Sequence, residues 1–305
     1  MQRKKELFKQ ALRKRHMMKK DKARKCMIGL CLCGFCISAG KIVFTCYGSW
    51  EDSQRLDRQQ AQLMEQRAEG TSGDTDKGIL AARMSEAISA PADAPGEKEP
   101  EILPEYRSMY EQNHDLIGWL SIEGTGINYP VMQTPEDENY YLYRDFYGED
   151  NHNGCLIMDT DSTVGSGAKA EGYFDGAEPS ANLIVHGHNM KSGEMFGNLD
   201  LYQEESYGKE HSIICFDSLY EHRKYELIAV FYSQVYRVKD KEFKYYKFFE
   251  AGTQEEFDNW YTNIKKLSLY DTGAKAEPGD EFITLNCCAY HVENGRFVVV
   301  GRRIE

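Results

Sequence analysis

Short apolar runs separated by turn residues dominate the chain after residue 115. Runs that are rich in Val, Ile, Tyr and Phe and bounded by Gly, Asn or Asp predict β-strands. We predict eight strands, at residues 117–122, 127–132, 154–158, 182–186, 212–216, 225–236, 281–286 and 296–302. So many short strands in about 200 residues are typical of a closed or nearly closed β-barrel. We therefore expect a mainly β domain.

Two segments show the residue spacing of helices instead, one before the strands and one among them. Residues 104–113 predict a short helix, with Pro104 well placed in its first turn. Residues 253–267 repeat Phe257, Trp260 and Ile264 at helical intervals, with acidic residues early in the segment. Thr253 can cap this second helix. The barrel should thus have a helix before its first strand and another inserted before its seventh.

An apolar segment of a different kind covers residues 26–47, where Lys41 is the single charged residue. About 20 apolar residues span a bilayer core, and a Lys near one end can extend to the interface. The apolar stretch before Lys41, at positions 26–40, is also short enough for a cleaved signal peptide. The long basic segment before it and the lack of a small-x-small cleavage pattern favour an uncleaved anchor, at residues 26–48.

Charge is distributed unevenly along the chain. Residues 1–25 carry a net charge of +10, so residues 26–305 carry −22 of the total of −12. An acidic body argues against nucleic-acid binding, and a basic head fits a cytoplasmic flank of a membrane segment. We therefore predict a cytoplasmic tail (1–25), the anchor, a polar stalk (49–100) and an extracellular domain (101–305). Within the stalk, residues 51–69 can form a polar helix, and residues 70–77 are expected to be disordered.

The cysteines agree with an external domain that does not depend on disulfides. Five of the nine lie in or beside the anchor, which leaves Cys155, Cys215, Cys287 and Cys288 for the long segment outside it. Four cysteines are too few for a disulfide framework. Because two of them are adjacent, one is a candidate nucleophile.

The end of the chain, at positions 283–305, places three features together. A predicted strand leads to Cys288, a turn follows, and a second strand starts at Arg296. A reactive thiolate needs a positive partner, and an arginine can stabilise an oxyanion with several hydrogen bonds. His188, which follows Gly187 just past a strand, is the candidate for proton transfer, although a lone histidine at a strand end is more often a surface residue.

These segments resemble those of the sortase family. The run ITLNCC is similar to the sortase TLxTC signature, with Cys288 at the position of the nucleophile. Arg296 before FVVV is similar to the essential sortase arginine, and IVHGHNM places His188 at the position of the catalytic histidine. Residues 113–133, the run NYYL and the helix at 253–267 resemble class B sortases. The resemblance covers about residues 104–305.

The resemblance implies a sortase-type closed barrel and a cysteine transpeptidase that needs no cofactor. Such an enzyme cleaves a C-terminal sorting motif of secreted proteins through a thioacyl intermediate. It then joins the new carboxyl end to an amine of peptidoglycan. Leu142 and Asn286 are the implied substrate-binding residues. No spacing among the histidines suggests a metal site.

Two departures from the family pattern leave alternatives open. Cys287 replaces the usual Thr, either as a small packed residue or as the partner of Cys288 in a vicinal disulfide. His186 replaces the usual aromatic residue, and we expect it to be structural, on the face opposite His188. The competing functions are a catalytically silent sortase-like scaffold and another cysteine peptidase or transpeptidase. An L,D-transpeptidase is one example, but its Ser-x-Gly pattern is absent near Cys288.

The anchor hypothesis can be tested on intact cells. We expect added protease to remove the domain and to leave a small basic stub in the membrane, because the domain lies outside and the tail inside. Mass spectrometry of the membrane fraction would identify the stub. A mature protein beginning near residue 40–50 would instead establish a cleaved signal peptide.

Overall fold

The computed structural model describes residues 2–85, 100–166, 169–170, 173–174 and 177–305. They form two compact units, Met1–Asp52 and Ser53–Glu305. The limits given above for tail, anchor, stalk and domain stay predictions.

The smaller unit is the first part of a long helix, α1 (Gln2–Ser85). Its segment Met27–Thr71 contains an 18-residue window with a mean hydropathy of 2.0, and none of that window is buried. Apolar side chains such as Phe35 and Phe44 are 71% and 78% exposed. A contiguous apolar surface of this kind is unusual on a soluble protein and suits contact with lipid. The helix is a candidate membrane anchor.

The part of α1 that belongs to the larger unit packs against the barrel domain. Leu56 and Leu63 are buried, with 7% and 2% of their surface exposed. Four residues beyond Leu63, Arg67 forms an ion pair with Asp217, which is 6% exposed. The spacing of Leu56, Leu63 and Arg67 brings all three to one side of the helix. This segment therefore adds apolar burial and a shielded ion pair to the domain.

The expectation that residues 70–77 are disordered is wrong, because α1 continues through them to Ser85. The helix is closely packed at Gly70. A Cβ atom at this position would lie 2.5 Å from the Cα of Glu105, at the start of α2 (Pro104–Gln112). Glycine thus permits close backbone contact between the two helices, which composition alone does not reveal. Residues 86–99 of the predicted stalk lie outside the described residues.

Ten strands follow α2 in the described part of the chain. They are β1 (Leu116–Ser121), β2 (Asn128–Met132), β3 (Leu156–Met158), β4 (Lys169–Ala170), β5 (Tyr173–Phe174), β6 (Asn182–Gly187), β7 (Ile213–Ser218), β8 (His222–Gln234), β9 (Phe282–Cys288) and β10 (Gly295–Arg303). Eight of them close into a barrel in the order β1-β2-β3-β6-β9-β10-β8-β7. The predicted eight-stranded barrel is confirmed, while the short β4–β5 pair was not predicted.

Two of the barrel pairings are parallel, β2 with β3 and β6 with β9, and the others are antiparallel. Alternate residues of each strand point into the barrel, as the pleat requires. The interior is apolar, and Val131, Val185, Leu285 and Val299 are fully buried in it. The predicted strand pattern therefore gives one continuous core.

A second apolar cluster lies on the outer face of β8, β9 and β10, beneath α4 (Gln254–Leu267), which follows the six-residue helix α3 (Glu205–Glu210). Thr253 and Glu256 form the capping box at the start of α4. The Trp260 ring stacks on the Phe248 ring, with 4.3 Å between their centroids. Its centroid lies 4.8 Å from that of Phe282, the first residue of β9. The predicted helix before the cysteine strand is thus confirmed. Its aromatic contacts hold the beginning of that strand.

The packing of α1 on the domain can be measured by truncation. We expect Leu63→Ala to lower the free energy of unfolding by about 2–5 kcal/mol, because it removes a buried side chain. Met64→Ala is the matched control, since Met64 is 43% exposed, and it should cost less than about 0.5 kcal/mol. Denaturant unfolding of the full chain in detergent micelles measures both. Equal effects would show that this segment does not pack on the barrel in solution.

Candidate active site

The hairpin of β9 and β10 brings Cys288 and Arg296 together. Cys288 is the last residue of β9, and Arg296 is its direct partner in the antiparallel pairing. A turn with Asn294 in the left-handed region, at φ 56°, connects the strands. Arg302, at the other end of β10, pairs with Phe282 and forms an ion pair with Glu226. Of these two arginines, only Arg296 is placed next to the thiol.

The parallel neighbour of β9 supplies the histidine. Gly187, at the end of β6, is the partner of Cys287, and His188 is the next residue of the chain. A Cβ atom on Gly187 would lie 2.5 Å from the Phe196 ring and 2.6 Å from Leu156. Close packing, more than the bend expected from the sequence, therefore requires glycine before His188.

These strand ends open into a groove with a volume of about 350 Å³. Its lining includes all five residues predicted for the site, namely Leu142, His188, Asn286, Cys288 and Arg296. The histidine, cysteine and arginine come from neighbouring strand ends of a closed barrel, which holds their backbones rigidly. The structure thus brings together a thiol, an imidazole and a guanidinium in one concave site.

His188 is held by the segment around Leu142. The His188 Nε2 lies 2.7 Å from the carbonyl oxygen of Leu142. The centroid of the Tyr143 ring lies 5.3 Å from the centroid of the His188 ring. A carbonyl oxygen only accepts, so Nε2–H is the donor in this contact. In the neutral ring, Nδ1 then keeps the free lone pair that a proton acceptor needs. The backbone of Leu142 thereby orients the histidine.

The two adjacent cysteines have opposite environments. Cys287 points into the barrel core and is 2% exposed, whereas Cys288 is exposed. Burial raises the pKa of the Cys287 thiol well above its ordinary value. Successive side chains of a strand point to opposite faces, and both cysteines are free thiols. This geometry supports Cys287 as a packed residue rather than as a disulfide partner.

Asn189 is a site residue that the sequence did not reveal. Its Nδ2 donates to the carbonyl oxygen of Cys288 at 3.0 Å. Asn189 also forms an isolated bridge with Met195, whose φ is 51°. The contact fixes the backbone of the thiol residue from the neighbouring strand end. The available signal was its place directly after His188.

The expectation that His186 lies on the face opposite His188 is wrong. Side chains two residues apart on a strand share a face, and both histidines line the groove. His186 Nε2 lies 3.1 Å from Asp159 Oδ2 and 3.7 Å from Glu138 Oε1. Burial opposes ionisation of Asp159, but hydrogen bonds from His186 and the Asp161 amide hold the pKa of Asp159 below its ordinary value. Asp159 is therefore a carboxylate at neutral pH.

The same three side chains are the one group of described residues that places three possible metal-ligating atoms within 4.8 Å of one another. They are Glu138, Asp159 and His186. The contact between His186 and Asp159 is a hydrogen bond between a histidine and a carboxylate, which accounts for their proximity. We therefore assign no metal to this group.

Comparison with curated proteins shows two relatives. The chain is 29% identical to sortase B of Listeria monocytogenes over 206 residues, which are 67% of this chain and 76% of the relative. It is 28% identical to sortase B of Staphylococcus aureus over 206 residues, with the same coverage. No protein-family model matches the chain.

Solved structures give the same picture of the fold. Sortase B from Bacillus anthracis in complex with AAEK1 matches with a TM-score of 0.55 and 28% identity, over 69% of this chain and 89% of that one. Sortase B from Clostridium perfringens matches with a TM-score of 0.55 and 23% identity, over 65% and 99%. The closed barrel described above is the fold that these structures share.

The different exposure of the two adjacent thiols predicts their reactivity. We expect iodoacetamide to alkylate Cys288 in the native full chain and to leave Cys287 unmodified, because burial keeps that thiol protonated and shielded. Mass spectrometry of tryptic peptides measures this. Cys288→Ala should abolish labelling of the peptide, and Cys287→Thr should preserve it. Labelling that survives Cys288→Ala would contradict the assignment.

Proposed function

We propose that this chain, which is similar to sortase B proteins in sequence and in fold, is a cysteine transpeptidase of the cell envelope. In this proposal it cleaves a C-terminal sorting motif of secreted proteins. It then joins the new carboxyl end to an amine of peptidoglycan. The observation that carries the proposal is the direct pairing of Cys288 with Arg296, at the groove that His188 also lines.

The first half-reaction forms the thioacyl enzyme. The Cys288 thiol gives its proton to His188, and the sulfur attacks a backbone carbonyl carbon of the sorting motif. Negative charge develops on the carbonyl oxygen, where the Arg296 guanidinium offers a planar set of donors. The C–N bond then breaks, and His188 returns the proton to the leaving amine. A thioester on Cys288 remains.

The second half-reaction reverses these roles. The amine of the accepting peptidoglycan precursor or cross-bridge attacks the thioester carbon, and His188 removes a proton from the amine. The C–S bond breaks, Cys288 leaves as a thiolate, and a new amide bond is formed. No cofactor takes part, because proton transfer and charge stabilisation are both provided by side chains.

Substrate contacts are proposed for Leu142 and Asn286, which both line the groove. Asn286 precedes Cys288 by two residues on the same face of β9, so its amide can bond the backbone of a peptide that reaches the thiol. The Leu142 side chain offers apolar contact while its carbonyl holds His188.

We further propose that α1 anchors the enzyme in the membrane, with the N-terminus in the cytoplasm and the barrel outside. The net charge of +10 in residues 1–25 supports this orientation through the positive-inside rule. The proposed layout is a tail at 1–25, an anchor at 26–48, a stalk at 49–100 and a catalytic domain at 101–305. In this layout, the partners of the enzyme are the membrane, secreted substrate proteins and the peptidoglycan amine. Nucleic acid is not a partner.

A peptide assay on the full chain in detergent tests the function. Fluorogenic peptides that represent a panel of sorting motifs are incubated with and without a short amine acceptor. We expect cleavage of one motif and, with the acceptor, a ligated product identified by mass spectrometry. Cys288→Ala should abolish both products. Absence of cleavage for every motif, with Cys288 still reactive towards iodoacetamide, would favour the silent scaffold.

The arginines provide a matched pair within the same assay. Arg296→Lys should lower turnover by about two orders of magnitude, since Lys lacks the planar donor set. Arg302→Lys should be nearly silent, because Arg302 pairs with Glu226 at the far end of β10. Equal activity in the two variants would remove Arg296 from the mechanism.

A further inference from the structure

A second groove lies on the barrel domain, beside α2 and the turn between β7 and β8. Its volume is about 420 Å³, which is large enough for a small ligand. Among the described residues, it shares no lining residue with the groove that contains Cys288. The proposed mechanism makes no use of this second groove.

The second groove is uncharged. The described residues that line it include no Lys, Arg, Asp or Glu, although residues 26–305 carry a net charge of −22. Proteins hold phosphate and carboxylate groups with Arg or Lys, and they hold hard metal ions with carboxylates. The lining therefore suits an uncharged ligand.

Two neighbouring tyrosines line the second groove. Tyr110 lies on α2, and Tyr220 lies in the turn between β7 and β8. The backbone N–H of Leu103 donates to the carbonyl oxygen of Leu219 at 2.8 Å, which holds this turn against the start of α2. Burial and the nearby Tyr110 phenol raise the pKa of Tyr220, so its hydroxyl keeps its proton. The groove thus has aromatic rings that also carry hydroxyl groups.

The segment after β3 adds further hydroxyl groups to the lining. Thr160, Ser162, Thr163 and Ser166 all line the second groove. Ser162 Oγ accepts the backbone N–H of Ile184 at 3.1 Å, which ties the segment to β6. The two threonines are exposed. Because a hydroxyl both donates and accepts, this segment can bond the hydroxyl groups of a ligand.

The lining also contains an amide with a determined orientation. Gln133 directly follows β2, and its Nε2 donates to the carbonyl oxygens of Asp159 and Ser162, both at 2.8 Å. Both hydrogens of this nitrogen are used, so Oε1 is the atom that can accept from a ligand. Apolar side chains of Leu116 and Val164 line the same groove. An acceptor together with apolar surface fits an acetamido group, which has one N–H and one methyl group.

We propose that the second groove binds the uncharged N-acetylated sugars of the peptidoglycan glycan chain. Sugar rings have apolar C–H faces that pack on aromatic rings, and their hydroxyl groups bond to Ser, Thr and Tyr. An acyl chain would instead cover these hydroxyls without bonding them. The inference rests on the proposed function, because it names a second part of the peptidoglycan substrate.

The second groove lies close to the Cys288 groove along the chain. Pro135 lines the second groove and Glu138 lines the Cys288 groove. Three residues span at most about 11 Å. Thr160 directly follows Asp159, which bonds His186 of the Cys288 groove. A glycan chain held in the second groove would therefore raise the local concentration of its attached peptide, and so of the accepting amine, near the thioester.

Titration with a defined sugar tests the site directly. Chitotriose, a trimer of N-acetylglucosamine, is added to the full chain in a detergent without sugar head groups, and binding is measured by calorimetry. We expect cellotriose, which has the same linkage but no acetamido groups, to bind about tenfold more weakly, since Gln133 Oε1 loses its donor. Equal affinity for the two sugars, or no binding of chitotriose, would overturn the proposal.

A blocking variant locates the bound sugar. Thr163→Arg fills the groove without disturbing the core, because Thr163 is exposed, and should weaken chitotriose binding by about tenfold or more. Thr262→Arg is the matched control, since Thr262 is exposed on α4 and is not among the described residues of the lining. It should leave binding unchanged. Tyr110→Phe keeps the ring, and loss of its hydroxyl should weaken binding about threefold. Unchanged binding in Thr163→Arg would contradict the proposal.

Ligation kinetics separate this proposal from the proposed function. The motif found in the panel is supplied with either the short amine acceptor or a muropeptide, in which the amine-bearing peptide is attached to its disaccharide. We expect KM for the muropeptide to be about tenfold lower than for the short acceptor. Thr163→Arg should remove this difference and leave peptide cleavage and ligation of the short acceptor unchanged.

The two proposals fail in different ways. If the unmodified chain cleaves no peptide, the proposed function fails, while the chitotriose titration still decides whether the second groove binds sugar. If cleavage and ligation occur but both acceptors have the same KM, the glycan has no part in acceptor binding, and the further proposal is wrong.

Discussion

The register of β9 against its two neighbours determines the chemistry of the whole site. Its antiparallel pairing with β10 sets Cys288 opposite Arg296, and its parallel pairing with β6 sets Gly187 beside Cys287. A slip of one residue would turn Cys288 into the core and expose Cys287, because side chains alternate between faces. The apolar interior opposes such a slip, since it would also expose Leu285 and turn Asn286 into the core. Core packing and the placement of reactive groups are thus one constraint.

The strands themselves were predictable because each follows from local sequence. Apolar runs with turn residues between them predicted all eight barrel strands, and Thr253 with the spacing of Trp260 predicted α4. The predicted cysteine strand stopped at residue 286, however, whereas β9 extends to Cys288. Residues 287–288 are held in the strand by pairing with β10, which is a contact between segments rather than a property of either. The predicted strand ends singled out Cys288, Arg296 and His188 as candidates, and the resemblance added Leu142 and Asn286.

Other features depend on contacts that a sequence does not display. Asn189 reaches Cys288 only because β6 and β9 end side by side, although the two residues are 99 positions apart. The contacts of His186 with Asp159 and Asn286 likewise join three separate segments. The helix through residues 70–77 involves the close contact of Gly70 with Glu105. The prediction that His186 lies on the face opposite His188 was wrong for a different reason. Strand alternation alone places the two side chains on the same face.

Closure of the barrel also limits how an extended peptide can be recognised. Each of the eight strands has two neighbours, so the barrel sheet offers no unpaired edge to which a peptide could add as a further strand. In the proposed function, a peptide in the groove would therefore bond its backbone N–H and C=O groups to side chains and loop backbone rather than to a strand edge. The guanidinium of Arg296 and the amide of Asn286 are suited to this, because both are planar and both offer several hydrogen-bonding atoms. Selectivity would then come from a few polar side chains and the groove's shape rather than from main-chain pairing.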